Sequence, residues 1–208
     1  YIIARPSTPD FLGDQSEYEP LAYYSGLIEQ FAREAINRRL TSPGQIGLWG
    51  HSNGGYLGLA VATRTRLIGA IVSASPFPDL LTSSERPAPL FGPDDCAPNR
   101  LYSNSIAFPE DPDGPFWRMG GPSYAMLDRY LRNSPIYALG PEAPATLIVQ
   151  GEFDGHGTSD SERVYTRLNR QNVPVQLARY WGEGHDIDSA GNVRDFIQRE
   201  IDWYARHL

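Results

Sequence analysis

The chain has 208 residues and a mass of 23.2 kDa, and 40% of its residues are hydrophobic, which suits one globular domain and excludes a disordered or fibrous protein. Its 25 acidic and 18 basic residues give a net charge of −7 without a block of like charges, so we expect no nucleic-acid partner. No apolar run approaches the roughly 20 residues of a membrane-spanning helix, so we expect no membrane partner.

Strand and helix signals alternate from the start of the chain. Short apolar runs bounded by turn residues predict strands at residues 1–4, 45–49, 67–74, 145–150 and 175–180. Runs of this kind are typical of strands buried on both faces. Amphipathic patterns predict three helices: one with a stripe over 27–36 that ends before 41–44, one that starts with a capping box at 159–162 and turns Val164, Tyr165 and Leu168 inward, and one with Val193, Phe196, Ile197, Ile201 and Tyr204 on one face.

This alternation predicts an α/β fold, a mostly parallel sheet with helices on both faces, in a single domain over residues 1–208. The segment 76–144 interrupts it, because 13 of the 18 prolines lie there. We interpret that segment as an insertion or cap with one short helix around 123–132. Long loops in compact domains often carry function.

The cap is predicted to cover the functional site and to set substrate choice. Trp117 and Tyr124 are the expected pocket walls, since aromatic side chains supply most of the contact area in small sites. The alternative is a small additional core beneath a long loop. Acidic side chains of the same segment would bind the amino terminus of a short peptide or would be merely solvated: Asp94, Asp95, Glu110, Asp111 and Asp113.

Residues 50–54, Gly-His-Ser-Asn-Gly, match the G-x-S-x-G nucleophile elbow, in which a serine hydroxyl stands on a strained turn from a strand to a helix. The context fits, because a predicted strand precedes the motif and a small apolar helix start follows it. Ser52 is therefore the candidate nucleophile. Tyr56, shortly after the elbow, is a further candidate for a pocket wall.

An elbow serine needs a base to take its proton, and in such folds the order along the chain is Ser, then Asp or Glu, then His. Asp154 follows the predicted strand 145–150, and His185 follows the strand 175–180. Both loops lie beyond the carboxyl ends of parallel strands, where catalytic groups gather. We assign His185 as the general base and Asp154 as the acid that orients it.

Other acids and histidines are ranked lower for these roles. Asp186 and Asp188 adjoin His185 too closely in the chain to approach its ring easily. His156 would need acid and base on one loop, His51 is expected to point away from its neighbour Ser52, and His207 is expected to be solvated. The remaining alternatives for the acid are Glu152 and Asp160.

Metal and cofactor chemistry has little support in the composition. The chain has one cysteine and four histidines, without the spacing of a zinc site. Cys96 has no intramolecular disulfide partner, and no basic neighbour closer than Arg100 would activate its thiol. All 18 basic residues are arginine, which excludes lysine nucleophiles. We expect no metal and no cofactor.

Several stretches of the chain together resemble the catalytic domain of the prolyl oligopeptidase family, whose members are serine peptidases of the α/β-hydrolase superfamily. The resemblance is carried by residues 46–56, 133–137, 144–151 and 182–185 and extends over nearly the whole chain. It implies the α/β-hydrolase fold and a triad of Ser52, Asp154 and His185. It also implies that the backbone N–H of Asn53, the residue after the nucleophile, stabilises the oxyanion.

The chain departs from the family pattern in two places. Residues 155–158, Gly-His-Gly-Thr, stand where the family has a hydrophobic-Pro pair, so the acid loop is expected to be rebuilt. Residues 5–8, Arg-Pro-Ser-Thr, have Pro where the family has Gly. Since only one predicted strand precedes the elbow strand, we expect further strands and a second oxyanion donor in a missing N-terminal segment of the same protein.

The expected function is that of a serine hydrolase that cleaves short peptides through an acyl-enzyme. The first alternative is a carboxylesterase, since one elbow and triad serve amides and esters alike. The second is a non-catalytic binding domain that has kept the elbow. The expected partner is a small peptide or ester substrate, the protein is expected to be soluble with the cytoplasm favoured, and the sequence indicates no particular oligomeric state.

Overall fold

Four parallel strands form the centre of the fold. The computed structural model describes residues 2–6, 18–84, 119–154 and 158–208. Within these residues the strands are hydrogen-bonded in chain order: β1 (Gly47–His51), β2 (Ala70–Ala74), β3 (Ala145–Gly151) and β4 (Val175–Tyr180). Every neighbouring pair is parallel, so the carboxyl ends of all four strands lie at one edge of the sheet, where α/β proteins place their sites.

Seven helices accompany the strands in the described ranges: α1 (Pro20–Asn37), α2 (Asn53–Ala62), α3 (Leu80–Ser84), α4 (Leu127–Arg132), α5 (Pro135–Ala138), α6 (Thr158–Arg170) and α7 (Ala190–His207). α1 begins ahead of its predicted stripe because Pro20 occupies the first turn, where its fixed φ suits a helix and its missing N–H costs nothing. α6 already includes Ser159, so the predicted capping box is wrong: its serine lies inside the first turn.

Helices cover both faces of the sheet, as the continuously apolar strands predict. On one face Ile71 and Ile148 pack with Leu59 of α2 and with Val164 of α6, all fully buried. On the other face Val72, Leu147 and Val149 pack with Trp203 of α7. Each such buried side chain contributes about 1.5–3 kcal/mol, so this two-sided packing stabilises the sheet that carries the site.

The inward face of α7 differs from the predicted one. Ile197 and Ile201 are each 51% exposed, whereas Trp203 is buried and its indole N–H donates to the backbone oxygen of Ala145 at 3.4 Å. Phe196 and Tyr204 do pack against the core. The large indole, with a hydrogen-bond partner at the start of β3, determines which side of the helix faces the sheet.

The strand predicted at residues 1–4 is also wrong for the residues that the structure describes. Residues 2–6 have no regular secondary structure, and Ile2 and Ile3 are 71% and 94% exposed. A strand is stabilised by pairing and by burial of one face, and these two side chains are largely exposed. An apolar run alone therefore does not make a strand.

The described parts of the segment 76–144 contribute to the core. Met119 and Tyr130 are buried and pack with Phe77 and with Leu21 of α1. Residues 85–118 lie outside the described residues, and with them Trp117, Cys96 and the acidic side chains of the predicted cap. None of the helices in the described residues is long and apolar enough to cross a membrane.

Candidate active site

Ser52 stands on a strained turn between β1 and α2. Its φ of 59° and ψ of −118° lie where non-glycine residues rarely occur, and such backbone strain costs about 1–3 kcal/mol. The turn is held by the Ser52 N–H, which donates to the Ala74 oxygen at 2.9 Å. A Cβ on Gly50 would lie 2.1 Å from the Gly54 oxygen, so the tight approach requires glycine there. The local geometry is that of the nucleophile elbow in the sequence motif.

Asp154 and His185 meet beyond the ends of β3 and β4. The Nδ1 atom of His185 lies 3.2 Å from the Oδ2 atom of Asp154, across 31 residues of chain, and the Asp154 side chain is fully buried. A carboxylate only accepts hydrogen bonds, so the proton of the neutral ring resides on Nδ1 and leaves Nε2 as the acceptor. The two loops are also joined through their backbones, because the Phe153 N–H donates to the Glu183 oxygen at 2.9 Å.

His185 is tied to the strand that leads into Ser52. The Nε2 atom of His51 donates to the His185 backbone oxygen at 2.9 Å, and the Ser75 hydroxyl donates to the same oxygen at 2.7 Å. The rings of His51 and His185 lie 4.7 Å apart between centroids. The ring of Phe77 stacks on that of His185 at 6.0 Å and 11°. Since His51 directly precedes Ser52, the elbow and the Asp154–His185 pair belong to one cluster.

Ser75, which directly follows β2, also has a strained backbone conformation. Its φ is 44°, a left-handed value that is uncommon for serine. In that conformation its N–H donates to the Val149 oxygen at 2.8 Å and its hydroxyl reaches the loop of His185. These two hydrogen bonds, made to segments from β3 and β4, offset the strain and fix the end of β2 against the His185 loop.

Glu183 stabilises the loop that carries His185 through several hydrogen bonds. Its carboxylate accepts hydrogen bonds from the backbone N–H groups of Asp188 and Ser189 at 2.9 and 3.2 Å, from the Ser189 hydroxyl and from the Asn192 amide. Burial would raise the pKa of this carboxyl, but the hydrogen bonds from Ser189, Asp188 and Asn192 outweigh it and hold the pKa of Glu183 below its usual range. The motif Gly-Glu-Gly-His does not by itself indicate this role, because the partners of Glu183 lie outside the motif.

Asn53 is the first residue of α2. Backbone N–H groups in the first turn of a helix have no partner within it, and the helix dipole adds a partial positive charge there. Both features suit a developing oxyanion beside Ser52. The backbone position therefore fits the role that the family resemblance implies for Asn53.

Two of the predicted pocket walls, Tyr56 and Tyr124, do not line a pocket among the described residues. Tyr56 is 1% exposed, and its hydroxyl donates to the Asn133 oxygen at 2.8 Å, so it is a core residue rather than a pocket wall. Tyr124 is 86% exposed, and its ring is not enclosed by a pocket among the described residues. Trp117 lies outside the described residues, and so does His156.

The alternative acids have other partners. Glu152 pairs with Arg179 at 2.6 Å, and Asp160 pairs with Arg163 at 3.1 Å. Asp186 lies 3.4 Å from His51. His207 packs against Trp203 with ring centroids 4.4 Å apart, and partial burial and the neighbouring Arg206 lower its pKa, so it is less solvated than predicted.

Comparison with known proteins identifies a family and several similar folds. A family model described as prolyl oligopeptidase family matches residues 28–208. Among solved structures, a puromycin-hydrolyzing peptidase of Mycobacterium tuberculosis has a TM-score of 0.72 and 21% identity over 91% of this chain and 26% of its own. Dipeptidyl peptidase 4 of Porphyromonas gingivalis has a TM-score of 0.68 and 18% identity over 90% of this chain and 23% of its own.

An acylaminoacyl peptidase of Pyrococcus horikoshii has a TM-score of 0.63 and 17% identity over 91% of this chain and 28% of its own. At these identities the likeness shows the fold, which is the α/β-hydrolase fold predicted from the sequence. The chain spans about a quarter of the length of these structures. A search of curated proteins finds no match.

Proposed function

Because the chain belongs to the prolyl oligopeptidase family of serine peptidases, we propose that it carries a peptidase triad with Ser52 as nucleophile, His185 as general base and Asp154 as the acid that orients the base. The observation that carries this proposal is the buried 3.2 Å contact between Asp154 and His185, tied through His51 to the strained turn of Ser52. A serine in this setting is activated by removal of its proton.

In the first half of the reaction the Ser52 oxygen attacks the substrate carbonyl while Nε2 of His185 takes the hydroxyl proton. Asp154 accepts the Nδ1–H bond, which holds the ring in the required tautomer and stabilises its positive charge. The backbone N–H of Asn53 donates to the oxyanion. His185 then gives its proton to the leaving amine, and Ser52 retains the acyl group as an ester.

The second half reverses these roles. A water molecule loses a proton to His185 and attacks the acyl ester, and the collapse of the intermediate releases the carboxylic acid. The proton on His185 returns to the Ser52 oxygen, so the enzyme is regenerated without a net gain or loss of protons at the triad.

The substrate class proposed is a short peptide. The three similar structures are each named as peptidases, which favours an amide over an ester, although the same triad chemistry also hydrolyses esters. The amide preference is a proposal for the whole protein.

The experiment labels the protein with a fluorophosphonate probe, which reacts only with an activated serine, and compares hydrolysis of alanine p-nitroanilide with that of p-nitrophenyl acetate. We expect labelling and amide turnover in the native protein, both lost in Ser52→Ala, with a fall of about 10⁴- to 10⁶-fold in rate. Ser84→Ala, which removes a hydroxyl that donates to the nearby Leu81 oxygen at 2.8 Å, is the matched control and should behave as wild type.

Each outcome discriminates between functions. Ester turnover without amide turnover would support a carboxylesterase instead. An unlabelled native protein would support a binding domain that has kept the elbow.

A further inference from the structure

A row of buried polar side chains connects α6 to Asp154. The Ser161 hydroxyl donates to Oε1 of Gln150 at 2.7 Å, and Nε2 of Gln150 donates to Oδ2 of Asp154 at 2.6 Å. The same Oδ2 atom faces Nδ1 of His185. Ser161 and Gln150 are both 0% exposed, so solvent water does not stand in for either partner. The row therefore ends on the carboxylate that the general base needs.

The chemistry of the groups determines which way the Gln150 amide points. A carboxylate only accepts hydrogen bonds, so the amide must present its NH₂ group to Asp154. The amide oxygen then faces Ser161, whose hydroxyl has to donate. The opposite orientation would bring two oxygen acceptors together at Asp154, an unfavourable arrangement for buried groups. Asp154 thus fixes the orientation of the Gln150 amide, and the Ser161 hydroxyl supports it by donating to the amide oxygen.

Both supporting residues stand on regular elements, whereas Asp154 does not. Gln150 belongs to β3, where it is in register with Arg179 of β4, and Ser161 lies in the first turns of α6. Asp154 follows the end of β3 and directly precedes residues 155–158, where the sequence departs from the family pattern. Side chains fixed by strands and helices hold a site more exactly than a loop does.

We propose that Gln150 and Ser161 are positioning residues for the general base. They hold the Asp154 carboxylate in the orientation that His185 requires, and the Gln150 N–H draws negative charge toward one of its oxygens. Neither residue contacts the substrate in this proposal. The inference rests on the proposed triad and extends it by two residues.

The first test is Gln150→Leu, which keeps the side-chain volume and removes both polar groups. We expect kcat/KM for p-nitrophenyl acetate to fall roughly 10- to 100-fold, the worth of a hydrogen bond to a charged group, with the loss in kcat rather than in KM. Without the donated N–H, the Asp154 carboxylate holds the imidazolium of His185 more strongly. The acid limb of the pH–rate profile should therefore move to higher pH.

The second test is Ser161→Ala, which leaves the buried amide oxygen of Gln150 without the donor that holds it. It should change kcat and the acid limb in the same direction by a smaller amount, about three- to tenfold in rate. If Gln150→Leu fails to fold, this variant decides: a wild-type rate and profile would overturn the proposal.

Thr146→Val is the matched control. Thr146 is fully buried on β3, on the same face as Gln150 by strand alternation, and its hydroxyl donates to the Pro144 oxygen at 2.9 Å. Loss of that bond should lower the melting temperature and leave the acid limb in place.

A folded Gln150→Leu with wild-type kcat and an unchanged acid limb would overturn the positioning role. Asp154→Asn, assayed in parallel, separates this failure from failure of the triad. If Asp154→Asn is inactive while Gln150→Leu is normal, only the positioning role is lost. If Asp154→Asn itself keeps full activity, the proposed triad is wrong.

Discussion

The Nε2 atom of His51 lies 2.9 Å from the backbone oxygen of His185, although 134 residues separate them in the chain. Ser75 donates to that same oxygen from the end of β2. A carbonyl oxygen has two lone pairs, and here both are used by donors from different strands. The loop of the proposed base is thereby held against the strand that carries the proposed nucleophile.

This contact predicts a supporting role for His51. His51→Phe keeps a ring but removes the donor. We expect kcat to fall about five- to tenfold, because the loss of one hydrogen bond of about 1 kcal/mol changes a rate by about that factor. His51→Gln, which can still donate, should lose less. Steady-state kinetics on p-nitrophenyl acetate measure both, with His207→Phe as a control remote from the site. A loss as large as that of Ser52→Ala would instead make His51 the base.

The assignment of the acid predicts unequal effects of two neighbouring carboxylates. Asp154→Asn should lower kcat about 10⁴-fold, because the amide favours the wrong tautomer of His185. Glu152→Gln is the matched control, since Glu152 pairs with Arg179 at the surface, where such pairs contribute little. Its rate should stay within about twofold of wild type. The reverse ranking would transfer the acid role to Glu152.

Glu183 predicts a pH dependence of stability. Its pKa is lowered in the folded protein from an ordinary value of 4.5, so its stabilising contribution is fully present above about pH 4.5 and is lost as the pH falls through the folded value. Glu183→Gln should lower the melting temperature at neutral pH, and the difference from wild type should shrink in acid. Thermal melts over this pH range test it.

Glu29→Gln serves as the control for that series, because Glu29 pairs with Arg33 on the exposed surface of α1. Its melting temperature should stay close to that of wild type at every pH. A constant difference between wild type and Glu183→Gln from neutral to acidic pH would contradict the ionised state assigned to Glu183.

The elbow predicts opposite outcomes for two Gly→Ala substitutions. In Gly50→Ala the new Cβ would collide with the backbone of Gly54, so we expect distortion of the turn and loss of fluorophosphonate labelling. In Gly26→Ala the new Cβ meets nothing within 4 Å in the middle of α1, and stability should rise by about 0.5–1 kcal/mol. Labelling and denaturant unfolding measure the two effects, and normal labelling of Gly50→Ala would contradict the close approach.

Sequence patterns alone predicted the features that depend on near neighbours in the chain. Glycines spaced around Ser52 indicated the strained turn, because only glycine lets the backbones come so close. Apolar runs bounded by turns indicated β1 to β4. β2 and β3 are buried throughout, as such runs predict, whereas β1 and β4 are only partly buried. The positions of Asp154 and His185 after two strands were sufficient to propose them as a pair, because parallel strands end at one edge of the sheet.

Tertiary structure decided everything that depends on partners far along the chain. Residues 2–4 have the same apolar character as the strands but are exposed. Tyr56 turns into the core, where its hydroxyl donates to the Asn133 backbone oxygen. The roles of Gln150 and Glu183 depend on Ser161, Ser189 and Asn192, which come within reach only after the sheet and helices have packed. Local patterns specify backbone conformation and burial, whereas a buried hydrogen bond requires a three-dimensional register that no local pattern contains.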